Sequence, residues 1–309
     1  MSRRVIRGGL LLLFIAVSFR GAHAGPVFPT RSFIFAPSFR SADDTTTGAR
    51  FLRQQGIWGN LAHGFHSAND RFGWSISFGG VIEFVEWERS QIYLVGDAEV
   101  LADTHNDISF NPRAIFWTEG FMFATKLGEA TELQLGYIHR CHHDIDNLGT
   151  NDESNHEERT LIYGSAVAKA VWRRVGLLSA DNLLNTSASV QWDQYVIRQD
   201  DRIPPVGTTA TDVNTLDASL TLGIHSALVG VGDVVPYIRA QTCAAFYHAM
   251  SLSTVDARAE IGIELSGAGS RMDVFVGYEH LTDDFNSVQR VRSGYAYLGF
   301  RFIGRNVGL

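Results

Sequence analysis

The chain has 309 residues, of which 26 are Lys or Arg and 33 Asp or Glu, for a net charge of −7, and 45% are hydrophobic. The acid excess argues against a nucleic-acid partner and keeps an apolar-rich chain soluble in transit. Soluble-enzyme signatures such as GxxxxGK[ST], HExxH and GxSxG are absent.

Arg3, Arg4 and Arg7 precede an apolar run from Leu10 to Val17, and Ala22-His23-Ala24 offers a small-residue cleavage site. This predicts a secretory signal peptide over 1–24, the run being too short for a membrane-spanning helix. Its removal leaves 22 basic against 33 acidic side chains, a net charge near −11. Residues 25–50, with Pro26, Pro29, Pro37 and a Thr45-Thr46-Thr47-Gly48 run, lack periodicity and read as a periplasmic lead-in or plug.

From 51 to 309 the pattern changes to alternation with a period of two. Leu216, Ala218, Leu220, Leu222 and Ile224 interleave with Asp217, Ser219, Thr221 and Gly223, and Ala257, Ala259, Ile261, Ile263 and Leu265 with Arg258, Glu260, Gly262 and Glu264. Met272, Val274, Val276 and Tyr278 do the same against Asp273, Phe275 and Gly277. A soluble sandwich also alternates, but after an export signal and without a spanning helix the pattern predicts an all-β, transmembrane, antiparallel up-and-down barrel. Twelve strands are expected, at 52–66, 72–87, 91–104, 112–126, 131–143, 157–172, 185–199, 215–228, 234–249, 256–266, 271–282 and 289–303.

The connections support this, because tight turns at 127–129, 230–233 and 267–270 alternate with long polar segments at 145–156 and 200–214, as short periplasmic turns and longer external loops do. Both termini then lie in the periplasm, and the barrel belongs in a Gram-negative outer membrane, inserted by the barrel-assembly machinery. Trp58, Trp74, Trp87 and Trp172 fall near strand ends, where an aromatic girdle belongs, whereas Trp117 and Trp192 do not. Lys126 and Lys169 are the only lysines, so the cations are nearly all arginines, whose forked guanidinium groups suit lipopolysaccharide phosphates.

One segment concentrates chemistry, Tyr137-Ile138-His139-Arg140-Cys141-His142-His143-Asp144-Ile145-Asp146 at the external end of the fifth strand. Parity puts His139 and Cys141 on the lipid-facing row and His142 and Asp144 on the opposite one. His139, Cys141, His143 and Asp146 match the spacing of a group of uncharacterised outer-membrane barrels with a His-x-Ser-x-His-x-x-Asp strand end, which the chain resembles. More weakly, the His139-x-Cys141 pair resembles the lipid-facing His-x-Ser of outer-membrane phospholipase A and the lipid A deacylases, with Cys in place of Ser and no Ser-Asn-Gly continuation. That resemblance implies an acyl hydrolase in which His139 is the base, Cys141 the nucleophile and Glu158, or next Glu157, the orienting acid.

The same region also suggests a metal or ligand site. His66, His105, His139, His142, His143, His156, His248 and His280 fall at the expected external rim, with His63 and His225 lower in the wall, and Asp70, Asp107, Asp144, Asp146, Asp283 and Asp284 accompany them. His142, Asp144 and His156 are the expected ligands for a divalent Zn, Cu or Ni ion. Cys141 and Cys243 are expected on opposite faces of non-adjacent strands, which favours two free thiols. Asp217, Ser219, Thr221, His225, Arg239, Gln241, Arg258, Glu260, Glu264, Asp273 and Glu279 form a lumenal lining of mixed sign, fitting a narrow solute channel or a barrel closed by internal ion pairs. The first expectation is therefore a porin-like barrel, not assumed catalytic, with a ligand-binding external rim. A lipid esterase or deacylase and a narrow channel are the alternatives.

Overall fold

A computed structural model describes residues 48–52, 55–65, 73–103, 111–144, 160–175, 184–200, 216–228, 230–247, 251–267, 270–281 and 293–304. Its strands are β1 Ala49–Phe51, β2 Gln55–Phe65, β3 Trp74–Trp87, β4 Ser90–Asp103, β5 Asn111–Lys126, β6 Thr131–Asp144 and β7 Thr160–Val175. They continue with β8 Leu184–Asp200, β9 Leu216–Leu228, β10 Val234–Tyr247, β11 Ser251–Ser266, β12 Ser270–Leu281 and β13 Ser293–Gly304. The expected signal peptide and nearly all of the lead-in lie outside the described residues.

Each strand from β2 to β13 pairs antiparallel with the next, and β13 returns to β2 through Ala296↔Phe65 to Ile303↔Trp58, so twelve strands close into a barrel. Closure matters because it satisfies the backbone hydrogen bonds of every wall strand within the sheet, which hydrocarbon demands. The short β1 lies beside the end of β3, with Ala49 opposite Trp87. The expected first strand at 52–66 is β2, which begins at Gln55, while β1 falls before it at the end of the expected lead-in, and Leu52 just after β1 takes a φ of 51°, which a branched residue adopts only by leaving the extended ladder.

Alternation sorts the side chains as the sequence implied. Ile261, Val276, Phe300 and Phe302 are exposed on the outside, while Arg258, Glu260, Glu264 and Asp273 beside them are buried inside. Some inward and outward assignments change. The β9–β10 register skips Asp217, so Leu216 pairs with Tyr247 and joins the interior core, whereas Asp217 leaves the inner row and meets Arg198 at 3.4 Å. Trp58 is not a girdle residue: it lies on the inner row of β2 with buried Gly56 and Ala62, and its indole N–H donates to Asp97 Oδ2 at 2.6 Å. His225 lies within four residues of the short-turn end of β9, and His63 lies at the other end, stacked edge-on to Trp74 at 4.4 Å.

The interior is packed. Ala62, Leu101, Phe116, Leu161, Tyr163, Tyr195, Leu216, Tyr247, Phe275, Tyr295 and Tyr297, drawn from strands all around the ring, form one buried cluster. A second gathers Val81, Tyr93, Val95, Met122, Ala124 and Val167 on the side of β3–β5 and β7. Ala49 and Gly304 lie at the end bearing the tight turns at 88–89, 127–130 and 231–233, and the segments 104–110, 145–159, 201–215 and 282–292 connect strands at the other end.

Candidate functional site

Where β5, β6 and β7 meet, an acidic side chain, Glu119, interrupts the apolar rows of the outer surface. On β6 the lipid-facing side chains are Leu133, Leu135, Tyr137, His139 and Cys141, the last two half-buried, while Glu132, Gln134, Arg140 and His142 are buried on the inner side. On β5 the outward row runs Trp117, Glu119, Phe121. The four-residue turn between the strands sets a register that places Glu119 directly opposite His139 and Trp117 opposite Cys141. Directly opposed side chains have Cβ atoms roughly 5 Å apart, so carboxylate, imidazole and thiol occupy neighbouring positions on one lipid-facing patch.

Local packing shapes that patch. Trp117 Nε1 donates to Glu119 Oε2 at 3.2 Å along the outer row of β5. Across the other edge His139 faces Gly164 of β7. A Cβ at position 164 would collide with the Tyr137 hydroxyl, so the missing side chain lets Tyr137 lean across the strand beside His139. A carboxylate facing hydrocarbon is disfavoured.

Glu119 was not anticipated from the sequence, which pointed to Glu158 or Glu157 on the following strand. β7 begins at Thr160, and both glutamates lie outside the described residues. The available signal was compositional, Glu119 being an acid between Trp117 and Phe121 in an aromatic row, whereas counting back from the 127–130 turn pairs 119 with 138 and misses the observed pairing with His139 by one residue.

The expected metal ligands fare differently. His142 is an interior side chain rather than an open rim ligand, with its ring 4.3 Å from that of Phe116 and its Nε2 3.4 Å from the Tyr163 hydroxyl. The side chain of Asp144 and all of His156 lie outside the described residues. Among the described residues no three of His, Cys, Asp and Glu gather closely enough to hold a metal. Cys141 and Cys243 are both free thiols, the first half-buried on the outer face and the second buried inside, so the expected separation holds.

Behind the patch the lumen is lined by ion pairs. Arg140 binds Asp193 Oδ1 at 3.0 Å and Ser165 Oγ at 2.8 Å, and Ser165 donates to the same carboxylate at 2.7 Å. Across the barrel Arg301 grips Glu260 as a fork, Nη2 to Oε1 at 2.9 Å and Nη1 to Oε2 at 3.1 Å, while Arg239 reaches Glu260 at 3.4 Å. Arg258 pairs with Glu279 at 2.5 Å, Arg271 with Asp273 at 2.9 Å, and His225 with Glu264 at 3.0 Å. The Tyr295 hydroxyl donates to Glu279.

No family model matches the chain, and no curated protein does. Solved structures similar to it include LpxR from Salmonella typhimurium, at a TM-score of 0.46 and 7% identity over 81% of this chain and 99% of that one. Outer membrane phospholipase A from Escherichia coli is similar at a TM-score of 0.45 and 10% identity over 81% and 93%, and the KdgM porin at 0.42 and 8% over 80% and 98%.

The physical grounds for location are in the chain itself: twelve strands closed without an edge, an outer belt of exposed Ile, Leu, Val and Phe, and charges confined almost wholly to the inside. The chain is an integral β-barrel of the bacterial outer membrane.

Proposed function

We propose that this barrel acts on the acyl esters of membrane lipid at the Glu119–His139–Cys141 patch, and that its packed lumen is not a diffusion pore. The observation that carries this reading is the register that sets Glu119 opposite His139 on the same lipid-facing surface as Cys141. In the proposed reaction His139 takes the Cys141 thiol proton as the sulfur attacks the ester carbonyl, and returns it to the departing alkoxide to release an alcohol and leave an S-acyl enzyme. Water, deprotonated by His139, then hydrolyses the thioester to a free fatty acid and the thiol. In this reading Glu119 orients the imidazole, and the Tyr137 hydroxyl, which leans over Gly164 beside His139, donates to the carbonyl oxygen as it gains charge.

The test uses protein refolded in detergent with a fluorogenic phospholipid and with purified lipid A. Hydrolysis of either is expected, with Cys141→Ala abolishing it and His139→Ala lowering kcat by about 100-fold or more. Failure of the unaltered protein to cleave both substrates overturns the reading.

The rim-binding alternative has less support, because His142 is engaged with Phe116 and Tyr163 inside the wall. Titration of the refolded protein with Zn and Cu addresses it directly. The channel alternative draws on the mixed-sign polar lining, and planar-bilayer recording separates it from the closed barrel: a closed interior gives no porin-sized steps.

A further inference from the structure

We propose that Arg140, buried on the lumenal side of β6 between His139 and Cys141, is the positioning residue of the lipid-facing site, held in a closed cluster with Ser165 of β7 and Asp193 of β8. The inference rests on the reading of that patch as the ester-hydrolysing site and names what sets its geometry. Successive side chains of a strand point to opposite faces, so whatever fixes the residue between base and nucleophile fixes the backbone that carries both. Acyl chains offer that backbone no directional contacts. The lumen supplies them.

The cluster is compact. Arg140, Ser165 and Asp193 are all buried. Arg140 Nη2 meets Asp193 Oδ1 at 3.0 Å and Nη1 donates to Ser165 Oγ at 2.8 Å, while Ser165 Oγ donates to the same Asp193 oxygen at 2.7 Å, closing a triangle across three strands. Gln191 Nε2 donates to the other oxygen, Oδ2, at 2.8 Å. The Tyr163 ring, directly opposite Arg140 on β7, lies 5.7 Å from the guanidinium carbon. An apolar filling of similar volume is commonly as stable as a buried ion pair or more so, but it would not fix how β6 is rotated and advanced against β7 and β8.

The ladder itself is irregular at this point. Ser165 pairs with Tyr195 and Gly164 with Ile197, so Val196 is an extra residue on β8, and Gly164 is the residue that His139 faces. Bulges of this kind re-aim side chains and are over-represented beside active sites. Ser165, which closes the triangle, is the other residue at the shift, so the cluster ties the irregular segment to the strand that carries His139 and Cys141.

Arg140→Met/Asp193→Leu removes both charges together and fills the space with apolar side chains, so neither charge is left buried alone. In detergent-refolded protein whose heat-modifiable migration shows a closed barrel, this variant should lower kcat on a fluorogenic phospholipid by about 10- to 100-fold at unchanged KM, the scale of a misplacement of about 1 Å. A second readout needs no turnover. With Cys243→Ala, Cys141 is the only thiol of the chain. Its alkylation by a membrane-soluble maleimide should be slowed by His139→Ala in the otherwise unaltered protein, and no longer affected by it once Arg140 and Asp193 are replaced. That loss supports the inference even where no ester is cleaved, an outcome that overturns the hydrolase reading alone. Unchanged kcat, a His139 effect that survives the replacement, or no His139 effect in the unaltered protein overturns the positioning role. If the double variant does not close into a barrel, Ser165→Ala, which keeps both charges, takes its place in both measurements. Smaller changes in the same direction are then expected, and none in either overturns the inference.

Discussion

The two walls of the lumen solve the same problem, polar side chains inside a closed barrel, in opposite ways. On β10–β13 the cations Arg239, Arg258, Arg271 and Arg301 interlock with Glu260, Glu264, Asp273 and Glu279, so charge is balanced within the wall. On β3 and β4 the buried charges Glu83, Glu86, Asp97 and Glu99 are all acidic, and small hydroxyl and amide side chains stand beside them. Arg50 at the barrel end meets Glu86 at 3.4 Å. The difference teaches that one wall carries its own countercharges, whereas carboxylates of the other are met by neutral donors, Trp58 at Asp97 and Ser75 at Glu99.

The sharpest way to break this contrast is to remove the centre of the locked wall. Glu260→Ala leaves the buried Arg301 and Arg239 with only their longer contacts to Asp273, at 3.4 and 3.9 Å, and should cost about 3 kcal/mol in urea unfolding from detergent. A loss under about 1 kcal/mol would mean that the pairs are incidental and the wall is held by its tyrosines. The acidic wall should respond in the opposite sense. Thr118→Val removes a buried hydroxyl that has no hydrogen-bond partner, so in the same unfolding measurement stability should stay within about 1 kcal/mol of the unaltered chain or rise.

The smallest expected effect on stability lies outside the lumen. Glu119→Gln removes a charge from the lipid face and should leave the barrel as stable as before or firmer by about 1 kcal/mol, while lowering ester hydrolysis through misorientation of His139. Lost stability in that variant would mark Glu119 as a structural residue and remove the reason for assigning it a chemical role.

Much of this was legible in advance, and particular residues show why. The period of two fixes that Ile261 and Val276 face lipid while Glu260 and Asp273 face inward, because successive strand side chains must point to opposite sides. Turn spacing fixes the strand count, and the five-residue walk from Tyr137 to Cys141 places His139 outward without coordinates. Trp58 was misassigned because position near a strand end is shared by girdle and lumen residues, and only its parity against Gly56 and Ala62 distinguishes them. Leu216 was misassigned because a register skip at Asp217 inverts parity beyond it, and such a skip leaves no mark on local hydrophobicity.

By itself, then, the sequence determined the barrel, its membrane-facing rows and the outward His139 and Cys141, since all of these follow from alternation and hairpin connectivity, which are local along the chain. Only the tertiary structure decided which positions face one another across strands, Glu119 and His139, Thr118 and Asp97, Ser77 and Glu99, and which side chains make contact, Arg301 with Glu260 and His142 with Phe116. Those partnerships depend on register summed over successive hairpins and on ring closure between β13 and β2, and a shift of a single residue at any turn or bulge would exchange every partner beyond it.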